Sequence, residues 1–169
     1  ATLLNGDVAS GTRLIASARQ AGADEAVLAP LDAALVAMTG ARGEQGTMAL
    51  QRRIDRGAGQ PRAAARDVAI LAALGAPVNG PTQAFVLANA PQGGARAESG
   101  AMLALASAVE RGAIGEGALL AVVAAGEGGP ARLDAESLER IIRALRGLRL
   151  DDDARRIAVE AILAGAPAS

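Results

Sequence analysis

Residues 133–148 read LDAESLERIIRALRGL, and this stretch decides how the chain folds. Its leucines and isoleucines recur every three or four positions, the spacing that brings side chains onto one face of an α-helix. They are Leu133, Leu138, Ile141, Ile142, Leu145 and Leu148. Asp134 is a residue type that caps helix starts, and Gly147 marks the expected end of the helix. The stretch therefore predicts one amphipathic helix with a single buried face.

A second helix, predicted over 151–165, provides a surface against which this face can be buried. Three small residues, Ala154, Ala158 and Ala161, recur on it at helical spacing. Alanine is the best helix former, and a face of small side chains lets two helices approach closely. We expect four side chains of the first helix to be buried against these alanines: Leu138, Ile141, Ile142 and Leu145.

The rest of the chain has the composition of a helical protein. Hydrophobic residues make up 51% of the 169 residues, whereas aromatic residues make up only 1%, with Phe85 alone. Strands would need more β-branched and aromatic side chains. Glycine and proline divide the sequence into pieces of helix length. The predicted helices are 7–20, 24–39, 47–56, 61–75, 82–90, 98–112, 115–126, 134–147 and 151–165.

We predict that residues 1–169 form a single domain, since a chain of this length buries a sizeable core. Loops are predicted at 40–46 and 126–130, and Pro30 either kinks its helix or starts a new one. The segment 91–95 is rich in glycine and proline. A subdivision of the domain at this segment is the alternative.

The two C-terminal helix pairs share a spacing pattern. Apolar or small residues and a final proline recur in the same order, with only the second proline one residue late: Met102, Ala118 and Pro130, then Leu138, Ala154 and Pro167. This pattern resembles the tetratricopeptide family, in which small residues recur on the second helix and a proline follows it. The resemblance implies an all-α protein of antiparallel helix hairpins, stacked as an α-solenoid or superhelix of about eight or nine helices. The bulky first-helix positions of that family are not reproduced, and another multi-helix array or bundle is the alternative.

The residues that most enzymes use for catalysis are missing from this sequence. It contains no Cys and no His, and all 17 of its basic residues are Arg. The usual pairs of a nucleophile and a base therefore cannot be built. The glycine clusters at 40–46 and 126–129 lack the lysine of a phosphate-binding loop. We predict that the protein is not an enzyme and needs no cofactor or metal.

Two groups of carboxylates have alternative interpretations. Glu98, Ser99 and Gly100 resemble the Glu-Ser pair of lytic transglycosylases, in which the Glu is the general acid, although the Gly-Leu-Met-Gln signature of that family is absent. This resemblance implies, as an alternative function, a peptidoglycan-active lytic enzyme or its accessory helical domain. The acidic run 151–153 could bind a hard cation. We favour the interpretation that it caps free amides and opposes the helix dipole.

Five arginines lie close together in the sequence and form the candidate partner-binding patch. They are Arg52, Arg53, Arg56, Arg62 and Arg66. Guanidinium groups suit an acidic protein partner. A formal net charge of −1 and the lack of interleaved aromatic residues argue against nucleic acid. A solvated face of two helices is the alternative interpretation of these arginines.

The function that this sequence predicts is a non-catalytic protein-interaction or scaffold module of a larger bacterial assembly or envelope protein. A self-assembling structural subunit, and hence a homo-oligomer, is a further alternative. We expect no membrane-spanning segment, because the longest apolar run, 118–125, is too short for one. The first residues do not resemble a signal peptide, and the chain begins with Ala1, so we expect a piece of a longer protein. Cytoplasm and periplasm both fit these features.

Overall fold

The computed structural model describes residues 6–40 and 42–165. In this part of the chain the protein contains nine α-helices, one short 3-10 turn at Pro130–Arg132, and no strand. The helices are α1 (Val8–Gln20), α2 (Glu25–Thr39), α3 (Gly43–Asp55), α4 (Pro61–Ala73), α5 (Gly80–Ala88), α6 (Ser99–Arg111), α7 (Ile114–Ala125), α8 (Ala135–Gly147) and α9 (Asp151–Ala164). The predicted all-α fold of stacked helix hairpins is confirmed.

The predicted core of α8 and α9 is confirmed. The four apolar side chains of α8 are at most 2% exposed: Leu138, Ile141, Ile142 and Leu145. Ala154, Ala158 and Ala161 of α9 are fully buried, and the two helices are in contact. Asp134 caps α8, since its Oδ1 accepts a hydrogen bond from Ser137 N at 2.7 Å. The apolar period and the cap together account for the position of this helix.

Helices from both ends of the chain share this core. α2 packs against α9, and α4 packs against both α8 and α2. α1 is held mainly by α2, whereas the hairpin of α6 and α7 is held mainly by α8. This hairpin therefore lies at one end of the stack, and only a narrow stripe of each of its helices is buried.

The segment between α5 and α6 is attached to the start of α8. Ala95 N donates a hydrogen bond to Arg132 O at 2.7 Å, and Asp134 N donates to Ala95 O at 2.9 Å. Ala97 N donates to Ser137 Oγ at 3.0 Å. These bonds hold the first turns of α6 and α8 side by side and so set the spacing between the two helices.

Gly94 makes this attachment possible. Its φ is +92°, a conformation that other residues rarely adopt. A Cβ at this position would lie only 2.5 Å from Asp134 N. Glycine is therefore required here both by backbone conformation and by the close approach of a second backbone.

Two predicted boundaries near glycines are wrong. The predicted loop 40–46 extends only to Arg42, because α3 begins at Gly43. Gly46 is buried within α3, so this glycine provides a close-packed helix surface and not a turn. Likewise, α5 begins at Gly80, two positions earlier than predicted, where the Asn79 side chain accepts a hydrogen bond from the first turn.

The alternative that Pro30 starts a new helix is wrong, because α2 is one helix that continues across this residue. Pro30 is buried, and it lies one turn into the helix, where its missing N–H costs one hydrogen bond. Residues 1–5, which start the chain, and Pro167, which ends the repeat pattern, lie outside the described residues.

Candidate functional site

The five arginines of the predicted patch do not share one surface. Arg53 faces the interior, where its side chain is 4% exposed and its Nε donates a hydrogen bond to Asp67 Oδ2 at 2.7 Å. Asp67 is equally buried, so this ion pair joins α3 to α4. Arg53 cannot reach a partner while these helices are packed together, which corrects its place in the predicted patch.

Burial changes the acidity of the Asp67 carboxyl. The pKa of Asp67 is raised to about 6, because the loss of hydration outweighs the attraction of Arg53 and Arg66. Near pH 7 the carboxylate is ionised and paired. In mildly acidic solution the carboxyl takes up a proton, which removes the cost of keeping a charge there out of water.

We expect Asp67 to stabilise the folded state increasingly as the pH falls from about 7 to about 4. The folded carboxyl binds its proton near pH 6 and the unfolded one near 3.8, so the folded state holds more protons between these values. Urea unfolding at several pH values would measure this contribution in the wild type and in Asp67→Asn. Wild type should gain stability relative to the variant on acidification, and a constant difference would contradict the raised pKa.

Arg66 caps the end of another helix. Its Nη1 donates a hydrogen bond to Ala161 O at 2.6 Å, near the C-terminus of α9. Carbonyl groups there carry partial negative charge, which a guanidinium stabilises. Arg146 of α8 does the same for α4, by donating to Ala73 O at 2.9 Å. Arg66 thus belongs to the packing of α4 against α9.

Arg56 belongs to a network of ion pairs that connects α1, α2 and α3. Arg19 binds Glu25 at 2.6 Å and Asp32 at 2.7 Å, and Arg56 binds the same two carboxylates. The hydrogen bond from Arg19 holds the pKa of Glu25 below its ordinary value. The charge of Arg56 is therefore largely compensated within the protein.

Arg52 and Arg62 are the members of the predicted patch that remain well exposed. They lie on α3 and α4, and their binding to an acidic partner stays a prediction. The predicted patch is divided because successive residues of a helix point in different directions. Arginines that are neighbours in the sequence of α3 therefore lie on different sides of the helix.

Glu98 acts as the N-cap of α6. Its two carboxylate oxygens accept hydrogen bonds from Gly100 N at 2.8 Å and from Ala101 N at 2.5 Å. These bonds lower the pKa of Glu98. A general acid needs the opposite shift, so the geometry of Glu98 is that of a helix cap.

The acidic run 151–153 lies in the first turn of α9. The expected capping of free amides is not observed, because the N-cap residue is Leu150 and no side-chain hydrogen bond caps this helix. Asp151 instead lies 3.3 Å from Arg42 Nη2, and Asp152 lies 2.9 Å from Arg155 Nη1. Across residues 6–40 and 42–165, no three acidic side chains converge on a possible metal position. The run acts through charge at the positive end of the helix.

A groove of about 760 Å³ lies between α6 and α8. Its floor is apolar and is formed mainly by one face of α6, with one residue of α8: Met102, Leu105, Ala106, Val109 and Ala144. Met102 and Val109 are only half-buried, so the floor is accessible from solvent. A volume of this size is within the range of small-molecule pockets.

Charged side chains surround this apolar floor. Arg140 and Arg143 of α8 are 65% and 62% exposed, and each pairs with the glutamate one turn before it. Arg96 is 87% exposed at one end of the groove, and Glu110 lies on the α6 side. An apolar floor with a charged rim is the arrangement of a protein-interaction site.

No protein-family model, curated protein or solved structure matches this chain. Among the helices that the structure describes, none is both long enough and apolar enough to cross a membrane. The functional interpretation therefore depends on the chemistry of the groove itself.

The sequence predicts α6 but not the groove beside it. One feature of the sequence does point to the groove, because apolar residues cover more of α6 than a single neighbouring helix can bury. They are Met102, Leu103, Leu105 and Val109. In the structure Leu105 is buried whereas Leu103 is 75% exposed. A broad apolar face on a helix shows that contacts are needed, but not whether the same chain provides them.

Proposed function

We propose that this protein is a non-catalytic interaction module, which binds a helical segment of a partner protein in the groove between α6 and α8. The observation that carries this proposal is the open apolar floor with its charged rim. A groove lined by two helices suits a third helix, whose apolar side chains at i, i+3, i+4 and i+7 enter it.

The dimensions of the floor fit such a segment. Met102 and Val109 mark its ends on α6, and a rise of about 1.5 Å per residue places them roughly 10 Å apart. This is about two turns of helix, which presents two or three anchoring side chains. A few buried apolar anchors supply most of the binding energy in interfaces of this kind.

The rim indicates the charge of the partner. Within the described residues Arg140 and Arg143 are paired with Glu136 and Glu139 of their own helix, and such pairs contribute about 0.3–0.5 kcal/mol. A carboxylate on the partner can therefore compete for either guanidinium at little cost. We expect acidic residues on the side of the partner helix that faces α8.

A displayed library of amphipathic helical peptides tests this proposal. Selected peptides should carry the helical apolar period, and Ala106→Arg should weaken their binding by at least about tenfold, because the new side chain occupies the groove. Ala106 is exposed, so the substitution leaves the core intact. Ala84→Arg, at an exposed position of α5, is the matched control and should bind normally.

A double variant tests the charged rim. Replacing Arg140 and Arg143 together by serine should weaken an acidic peptide roughly two- to fivefold for each arginine and reduce the salt dependence of binding. Binding that is equal in wild type and Ala106→Arg would contradict the proposal. The proposal would also be contradicted if the library yielded no binding peptide although a small apolar dye bound in the groove, since the dye shows that the groove is accessible.

A further inference from the structure

A small cavity of about 190 Å³ lies between α2 and α3. Each of the two helices lines it with side chains at i, i+3, i+4 and i+7, which belong to one helix face. They are Ala29, Asp32, Ala33 and Val36 on α2, and Ala49, Arg52, Arg53 and Arg56 on α3. Arg19 of α1 also contributes to the lining. The wall therefore combines small apolar side chains with four guanidinium groups.

Arg53 is the buried arginine of this wall, and its hydrogen bonds are incomplete. Its side chain is 4% exposed, and its Nε donates a hydrogen bond to Asp67 Oδ2. Neither of its two Nη groups donates to any of the residues that the structure describes. Buried N–H groups are nearly always hydrogen-bonded, so this guanidinium needs an acceptor. The cavity provides space for such an acceptor beside Arg53.

The charges around the cavity leave one positive charge without a partner. Three carboxylates contact the arginines of the lining. They are Glu25, Asp32 and Asp67. Arg52 lies exposed at the outer edge of the cavity and forms no ion pair within residues 6–40 and 42–165. A ligand with one negative charge balances this site, whereas a dianion exceeds the available charge and is repelled by the nearby Asp32 carboxylate.

We propose that this cavity binds a free monocarboxylate with a short alkyl chain, in the size range from acetate to butyrate. The carboxylate accepts hydrogen bonds from Arg52 and from the Nη groups of Arg53. Planar guanidinium groups suit the two oxygens of a carboxylate, and such charge-assisted hydrogen bonds are strong. The inference concerns a site distinct from the groove between α6 and α8 and does not depend on its proposed function.

The inner wall of the cavity indicates an alkyl chain on this ligand. Ala29, Ala33 and Ala49 are at most 8% exposed, and Val36 is half-buried beside them. These side chains offer a ligand no hydrogen bond, so a polar chain would lose hydration there without compensation. An alkyl chain instead gains from leaving water.

The size of the cavity indicates a free small molecule. Pockets for drug-sized ligands have volumes of at least about 300 Å³, whereas this cavity has about 190 Å³. Arg53 is out of reach of a protein surface while α3 and α4 are packed together. A small carboxylate can enter the cavity and lie beside it. The ligand is therefore distinct from the acidic protein partner predicted for the exposed arginines.

Titration with sodium butyrate at constant ionic strength, followed by NMR of the arginine Nε–H groups, tests this site. The Arg53 signal should shift with a dissociation constant of about 1 mM. Arg52→Ser should weaken binding roughly tenfold, because it removes charge-assisted hydrogen bonds. Arg62→Ser is the matched control, since Arg62 is an exposed arginine on α4 outside the cavity, and it should bind as wild type does. Circular dichroism of each variant confirms that it is folded.

A comparison of ligands tests the chemical class. Butyrate should bind more tightly than acetate, by up to about fourfold for each added CH₂, because the chain contacts the apolar wall. Sulfate, a dianion without an alkyl chain, should bind more weakly than butyrate. An Arg53 signal that stays unchanged at about 100 mM butyrate would overturn the proposal. Equal affinity in wild type and Arg52→Ser, or sulfate that binds more tightly than butyrate, would overturn it too.

Discussion

Replacing Ile142 with alanine is expected to lower the free energy of unfolding by about 2–5 kcal/mol. Ile142 is fully buried on α8, which contacts both α4 and α9. The substitution removes three carbon atoms from a site surrounded by helices that cannot all move inward, so a cavity remains. Urea denaturation followed by circular dichroism at 222 nm, a standard helix signal, measures the loss.

The same substitution at an exposed position provides the control. Ile114 lies at the start of α7 and is 52% exposed, so Ile114→Ala should change the unfolding free energy by no more than about 1 kcal/mol. Equal effects of the two variants would mean that α8 is not the centre of the core.

Replacing Arg53 with alanine is expected to cost about 1–3 kcal/mol of stability near pH 7. The variant removes the guanidinium that lies 2.7 Å from the buried Asp67 carboxyl in the wild type, and uptake of a proton by this carboxyl limits the loss. Denaturation should show a much smaller change for Arg52→Ala, because Arg52 is an exposed neighbour on the same helix.

Two further measurements separate the charge from the packing of this pair. The loss in Arg53→Ala should shrink in mildly acidic solution, because the pKa of Asp67 is raised and the neutral carboxyl needs no counter-charge. A double variant, Arg53→Met with Asp67→Leu, should recover most of the stability, since it removes both buried charges. A double variant less stable than Arg53→Ala would contradict an electrostatic origin.

The difference between Arg52 and Arg53 illustrates what sequence patterns miss about the site. Both are arginines near the end of α3, with similar neighbours in the sequence. One is exposed and the other is buried against α4. The rotation of about 100° between successive helix residues separates them, but which of the two faces inward depends on how α3 packs.

The groove and the exposed apolar side chains of α7 could not be predicted for a related reason. Met102, Val109 and Leu119 are as apolar as the residues of the core, and a sequence shows only that they avoid water. Whether another helix of the same chain covers them depends on contacts between distant segments. The position of α6 and α7 at one end of the stack leaves them accessible.

The sequence by itself determined the helical fold, the positions of most helices and the buried face of α8. These properties follow from local rules, since helix propensity, caps and a period of 3.6 residues act over a few neighbouring positions. Only the tertiary structure decided that α3 starts at Gly43, that Arg53 and Asp67 form a buried pair, and that a groove lies beside α6. Each of these depends on contacts between helices, because burial and desolvation are set by what packs against a side chain and not by its neighbours in the chain.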